Sequence, residues 1–131
     1  MSAFDLLGIA GSGLSMHQTW LDSLSHNIAN VNTSRPTDGP AFQAQYVMAS
    51  ANPGGGVQVA GTALGDPEGR LVHAPEDPLA DENGYVRRPD IDMGSQMGQL
   101  IMAQRGFQAQ VQVVKNAQET YNSALSIGRS A

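Results

Sequence analysis

All seven prolines, Pro36, Pro40, Pro53, Pro67, Pro75, Pro78 and Pro89, lie between positions 36 and 89 of a 131-residue chain. Proline removes a backbone donor and clashes with the preceding helical turn, so long helices are confined to the two Pro-free ends. Eight of the fifteen glycines also fall in the Pro-containing stretch, which reads as strands and loops. The predicted order is a helix over 1–33, an irregular region over 34–90, and a second helix over 91–131.

Apolar spacing gives both ends a seam. In the first, Leu7, Leu14, Leu21 and Ile28 recur every seven residues, with Ala10, His17, Leu24 and Val31 three residues later. In the second, Met93, Met97, Leu100, Gln104, Phe107, Val111, Val114, Gln118, Tyr121, Leu125 and Gly128 follow the same alternation, and eight of these eleven positions are apolar. A 3.5-residue period predicts a left-handed supercoil with a partner helix. At about 1.5 Å per residue, the first helix spans roughly 40 Å and the second roughly 50 Å. The remainder of the chain is too small to cover such rods, so they pack on each other or on neighbouring subunits. The expected fold is mainly α: two long terminal helices forming a coiled-coil-like hairpin, with a small irregular β-hairpin region between them.

In the middle region, Phe42 to Met48, Val57 to Val59, Arg70 to Val72 and Tyr85 to Val86 read as short strands. Asn83-Gly84 is the pair favoured by a type I′ turn, in which both central residues have positive φ. Asn52-Pro53-Gly54-Gly55-Gly56 has no apolar anchor and reads as a mobile loop tip.

Several chemistries find no support. A formal net charge of −5 argues against a protein that neutralises nucleic-acid phosphates. The absence of Cys removes thiolate metal sites and thiol nucleophiles. Gly8, Gly11 and Gly13 lack the Lys-Ser/Thr ending of a phosphate loop, and close approach of another helix is their expected role. Ser12 is not in a nucleophile elbow, and His17, His26 and His73 do not share a ligand-spaced helical face. Asp81, Asn83, Gly84 and Asp90 match a calcium loop only in part, because Leu79 occupies its first position. A small calcium-binding module is therefore the competing class, against an acidic solvated hairpin. No catalytic residue, cofactor, metal ligand or small-molecule substrate is expected. No apolar run is long enough to span a membrane, and the start Met1-Ser2-Ala3-Phe4-Asp5 lacks the basic region of a secretory signal.

Only 15% of residues are charged, against about 25% in an average soluble protein. Eight of the twelve acids, Asp66, Glu68, Glu76, Asp77, Asp81, Glu82, Asp90 and Asp92, crowd into positions 66–92, in the middle or at its edge. Away from the seams the helices offer few charges: Asp5 and Asp22 on the first, Arg105, Lys115 and Glu119 along the second. Gln96, Gln99, Gln108, Gln110, Gln112, Asn116 and Asn122 stand where Glu and Lys usually solvate a helix. Amides pack against other chains without desolvating a charge, so these faces point to subunit contacts.

The first helix ends in Leu24-Ser25-His26-Asn27-Ile28-Ala29-Asn30-Val31-Asn32-Thr33. This stretch closely resembles the S-x-N-I-A-N-x-N-T signature of bacterial flagellar rod and hook proteins, carried here by Ser25, Asn27, Ile28, Ala29, Asn30, Asn32 and Thr33. The Asn residues are expected to bond the backbone and to take left-handed conformations where the helix stops. The run from Asp77 to Asp92 is similar to the family's D-P-x-A-D-x-x-G-Y-V segment. Met97 to Ala117 and Ala124 to Arg129 are similar to its C-terminal helix, with departures at Gln96, Phe107 and Gln110.

The resemblance implies an axial structural subunit of the proximal rod that assembles with other rod proteins in the periplasm. It also implies export by the flagellar type III apparatus without a cleaved signal peptide. The sister proximal rod subunit is the nearest competing assignment, and Gly84-Tyr85-Val86 is the run that separates the two. The assembly seams are then Leu7, Leu14, Leu21, Leu24, Ile28 and Val31 on the first helix. On the second they are Met97, Leu100, Phe107, Val111, Val114, Tyr121 and Leu125.

Overall fold

The computed structural model describes residues 2–130; Met1 and Ala131, the outermost positions of the expected terminal segments, lie outside the described residues. Helix α1 spans Ala3–Ala29 and α2 spans Met93–Ser130, and no Pro occurs in either. A capping box starts α1: the Ser2 hydroxyl accepts from the Asp5 N–H at 3.1 Å and Asp5 Oδ2 accepts from the Ser2 N–H at 2.8 Å. The bond from the Ser2 N–H foremost holds the Asp5 carboxyl below its ordinary pKa. Asp92 caps α2, with Oδ2 accepting from the Ser95 N–H at 3.0 Å.

The helices pack antiparallel. Asn27 meets Gln96, His17 meets Gly106, Gly13 meets Gln110 and Phe4 meets Tyr121, so positions rise along α1 as they fall along α2. Because α2 has 38 residues and α1 has 27, α2 outruns its partner, and residues 122–130 are exposed throughout.

The middle forms two separate two-stranded antiparallel sheets. Strands β1 (Gln45–Ala51) and β2 (Val57–Leu64) pair with a bulge between Met48 and Ala49. Strands β3 (Arg70–His73) and β4 (Tyr85–Arg88) pair in register, and Arg35 bridges to Arg87 on the other side of β4.

Three local expectations are corrected. The first strand begins at Gln45, not Phe42, because Phe42 packs its ring against His26 at 5.2 Å. The chain then enters the ladder where α1 grips Gln45.

The Asn83-Gly84 turn is not type I′, since among the described residues only glycines have positive φ. The β3–β4 connection instead runs from Ala74 to Gly84 and is folded by Asp side chains. Asp77 Oδ1 accepts from the Leu79 N–H at 3.0 Å, and Asp81 Oδ1 accepts from the Asn83 and Tyr85 N–H groups, each at 2.9 Å. Gly84, at φ +78, closes that turn where a Cβ would crowd His73 and Pro75.

The Asn52–Gly56 tip is anchored after all. Ser12 Oγ accepts from the Val57 N–H at 3.1 Å, and Ile9 lies against Gly55.

Among the described residues the buried hydrophobic side chains are Ala10, Leu24, Ala41, Ala44, Val86, Ile91, Ala103 and Ala117, with Pro89 buried as well. Five of the first eight are alanine, so little apolar area leaves water per residue, and burial of about 25 cal/mol per Å² yields a modest return.

Candidate functional site

The face that joins the helices is built from small and polar side chains. On α2 the inward row is Gln96, Ala103, Gln110 and Ala117, spaced by seven, with Leu100, Phe107 and Val114 beside it. The predicted second row of that seam, Met97, Val111 and Leu125, lies one residue further round. Met97 and Leu125 are each 48% exposed, while Val111 is half-buried.

The shift has a steric cause. His17 of α1 lies directly over Gly106, where any Cβ would overlap the imidazole, and Gln110 fills the space above Gly13. Such knobs need glycine or alanine opposite them, and hydropathy does not register this requirement. Gly13 thus has the close-approach role expected of it, whereas Gly8 and Gly11 have nothing within 4 Å.

On α1, Leu24 is buried, and Leu7, Leu14, Leu21 and Ile28 are half-buried, as is Val31 just beyond the helix. Tyr121 is 38% exposed and meets Phe4 edge to face at 5.6 Å.

The motif at the end of α1 divides by side. Asn27 is fully buried: its Oδ1 accepts from the Gln45 N–H at 2.8 Å, and its Nδ2 donates to Gln45 O at 2.9 Å and Gln96 Oε1 at 3.0 Å. Ser23 Oγ adds a second donor to Gln45 O at 2.9 Å. Asn30 Nδ2 donates to His26 O at 2.9 Å, and Asn30 Oδ1 accepts from Thr33 Oγ1 at 3.0 Å. Backbone bonding by these Asn residues is therefore present. The expected left-handed conformation is absent: Asn30 ends the helix at φ −107, and no described Asn has positive φ. Ser25, Ala29 and Asn32 point to solvent. Ser23, Gln45, Ala103 and Gly106 have no role in the sequence reading, and Gln96, expected on an outward amide face, is buried instead; the seven-residue repeat from Gln96 to Ala117 was the visible sign of the α2 row alone.

The acidic loop is committed to its own architecture. Asp81 Oδ2 accepts from Thr37 Oγ1 at 2.9 Å while its Oδ1 serves two backbone N–H groups. These bonds, that from Tyr85 foremost, hold the Asp81 carboxyl below its ordinary pKa, and the Leu79 N–H does the same for Asp77. Arg87 ties the loop base together, donating to Glu68 O at 2.6 Å and Thr37 O at 3.0 Å.

A carboxylate whose folded pKa is lowered stabilises the folded loop above its unfolded pKa of about 3.9 and loses that contribution as pH falls through the folded value. Asn83 and Tyr85 amide resonances should therefore shift together below pH ~4. Asp81→Asn should abolish that common titration, which NMR would read directly.

Among the described residues, no three His, Cys, Asp or Glu side chains gather as a metal site, and no helix is long and apolar enough to cross a membrane. Concavities are small. One of ≈ 160 Å³ lies between Trp20, Leu24, Gln99 and β1, and an open groove of ≈ 220 Å³ lies between Leu6 and α2.

What stands out on the surface is apolar. Met97, Ile101 and Met102 are 48%, 52% and 57% exposed, and Ile127 is 69% exposed. Large exposed apolar surface on a charge-poor helix marks a protein interaction face. The arrangement defines a structural assembly subunit.

Relatives specify the assembly. Residues 82–127 match the family described as flagellar basal body rod FlgEFG protein, C-terminal. The chain is 37% identical to the flagellar basal-body rod protein FlgC of Yersinia enterocolitica, over 98% of this chain and all of that protein. It is 32% identical to FlgC of Salmonella typhimurium and 28% identical to FlgC of Bacillus subtilis, with the same coverage. The chain belongs to the FlgC family of flagellar basal-body rod proteins, structural subunits of the proximal rod.

Proposed function

We propose that this subunit enters the rod through the exposed apolar faces of both helices, where it packs against identical and related rod proteins. The carrying observation is α2. It shows Met97, Ile101, Met102, Leu125 and Ile127 to solvent, while its charged residues are Arg105, Lys115, Glu119 and Arg129. In this reading residues 1–33 and 91–131 are the axial helices, and 34–90 is the region carried alongside them.

The seam positions that the hairpin leaves open, Met97, Tyr121 and Leu125, face neighbouring subunits. Closely packed helices transmit strain with little compression, which suits a shaft that carries torque. The amide-rich faces suit the wall of an export channel. The subunit acts without catalysis, reaches the periplasmic rod through the flagellar type III apparatus, and needs no cleaved signal.

The test compares the free and incorporated chain. Free in dilute solution, the protein should show clearly less helix by circular dichroism than its 27- and 38-residue helices require, with 122–130 frayed, because an unpartnered apolar stripe lowers helix stability. A dilute monomer with full helicity and a single cooperative melt would overturn the proposal.

A further inference from the structure

Strand β1 is the edge of a two-stranded sheet, and such edges present unpaired backbone groups. In an antiparallel pair, successive residues turn their N–H and C=O alternately toward and away from the partner. Ala44 O accepts from the Gly65 N–H at 2.8 Å, so Gln45, the next residue, faces away from β2. There the Asn27 carboxamide meets it, accepting from Gln45 N at 2.8 Å and donating to Gln45 O at 2.9 Å.

These are the two bonds that a neighbouring strand residue would make. A carboxamide has two N–H donors, and the second one goes to Gln96 Oε1 on α2. Gln45 and Gln96 together admit one orientation of the Asn27 amide. Flipped, its NH₂ would face the Gln45 N–H and its oxygen would face Gln96 Oε1.

We propose that Asn27 is a surrogate strand residue on the β1 edge, held in orientation by Gln96, so that the β1–β2 hairpin, which Ser12 and Ser23 also tie to α1, closes fully only when the two helices are paired. Gln96 is then a positioning residue. The node gives the hairpin a signal that α2 is in place, although only 3% of Gln96 is exposed and its bond goes to Asn27, not to β1.

The chain has no Cys, so single thiols report docking cleanly. In purified basal bodies, Ala44→Cys, at a site 3% exposed beside Gln45, reads the hairpin. Ala103→Cys, at a site 0% exposed between the helices, reads the helix pair.

Asn27→Ala and Gln96→Ala should each speed maleimide labelling at position 44 by about tenfold, as loss of a buried hydrogen bond allows local opening, and at position 103 by less than about threefold. Gln96→Glu keeps an acceptor oxygen, and its carboxylate falls in the first turn of α2, where the helix dipole favours negative charge, so it should label within about threefold of the parent. Parental labelling at position 44 in Gln96→Ala, or equal labelling in the Ala and Glu variants, overturns the proposal. If Asn27→Ala fails to assemble, the Gln96 pair decides. Assembly lost with Ala and kept with Glu supports the coupling, and loss in both overturns it.

Discussion

Leu24→Asp should abolish rod assembly and swimming. Leu24 is 2% exposed and lines the small cavity beside Trp20 and β1, with Ser23 and Asn27 holding the strand on either side of it. A carboxylate there has no cation to pair with in the α1–β1 contact, and an uncompensated buried charge costs about 3–5 kcal/mol. That is a large part of the roughly 5–15 kcal/mol that keeps a domain folded, and a core in which five of eight buried apolar residues are alanine leaves little reserve.

Leu100→Asp tests the opposite helix. Leu100 is half-buried in the row facing α1, so its charge retains some water and the intrinsic penalty is smaller. The loss of assembly should nevertheless be as complete, because in the proposed rod the same helix also meets neighbours. Leu24→Met, which conserves volume, should stay within about 1.5 kcal/mol of the parent and remain motile. Swimming haloes and incorporation into purified basal bodies measure all three. Motility persisting in both Asp variants would show that the seam is assigned wrongly.

The helices were legible because a negative signal marked them: Pro is absent from 1–35 and 90–131, and heptads fill both stretches. The face that α2 turns to α1 was legible only in half. Leu100, Phe107 and Val114 do lie toward the partner, but their companions are Gln96, Ala103, Gln110 and Ala117, not Met97, Val111 and Leu125. An apolar pattern reports what avoids water. It does not report which residues are small enough to receive a histidine.

Asn27 shows a second limit. Its motif was visible and its family was readable, but its role depends on Gln45, 18 residues away, and Gln96, 69 residues away. A local rule for Asn at helix ends predicted left-handed backbone, and the tertiary bond took the side chain instead. Asn83-Gly84 failed for the same kind of reason. The pair favours a tight turn in isolation, yet Asp77 and Asp81 had already folded a longer one around it.

Gly106→Val should separate the helices, and its suppressor identifies the cause. A Cβ at position 106 would overlap the His17 imidazole. The ring has no easy retreat, since His17 Nδ1 lies 2.8 Å from Gly13 O on its own helix and Trp20 packs 6.2 Å away. Overpacking of this kind costs about 1–3 kcal/mol.

Even Gly106→Ala should destabilise, although Ala is favoured over Gly inside a helix by about 1 kcal/mol. Gly98→Ala, at an exposed site on the same helix with nothing within 4 Å of the added Cβ, should show that propensity gain unopposed. The two Ala variants should therefore move the thermal midpoint of helix loss in opposite directions. His17→Ala opens the space above position 106 at the expense of its own contacts, so His17→Ala with Gly106→Ala should be more stable than the sum of the single changes allows. A coupling of about 0.5–3 kcal/mol is expected for residues in direct contact. Additive behaviour in that cycle would mean that histidine and glycine do not set the approach of the helices, and that the one-residue shift of the seam has another origin.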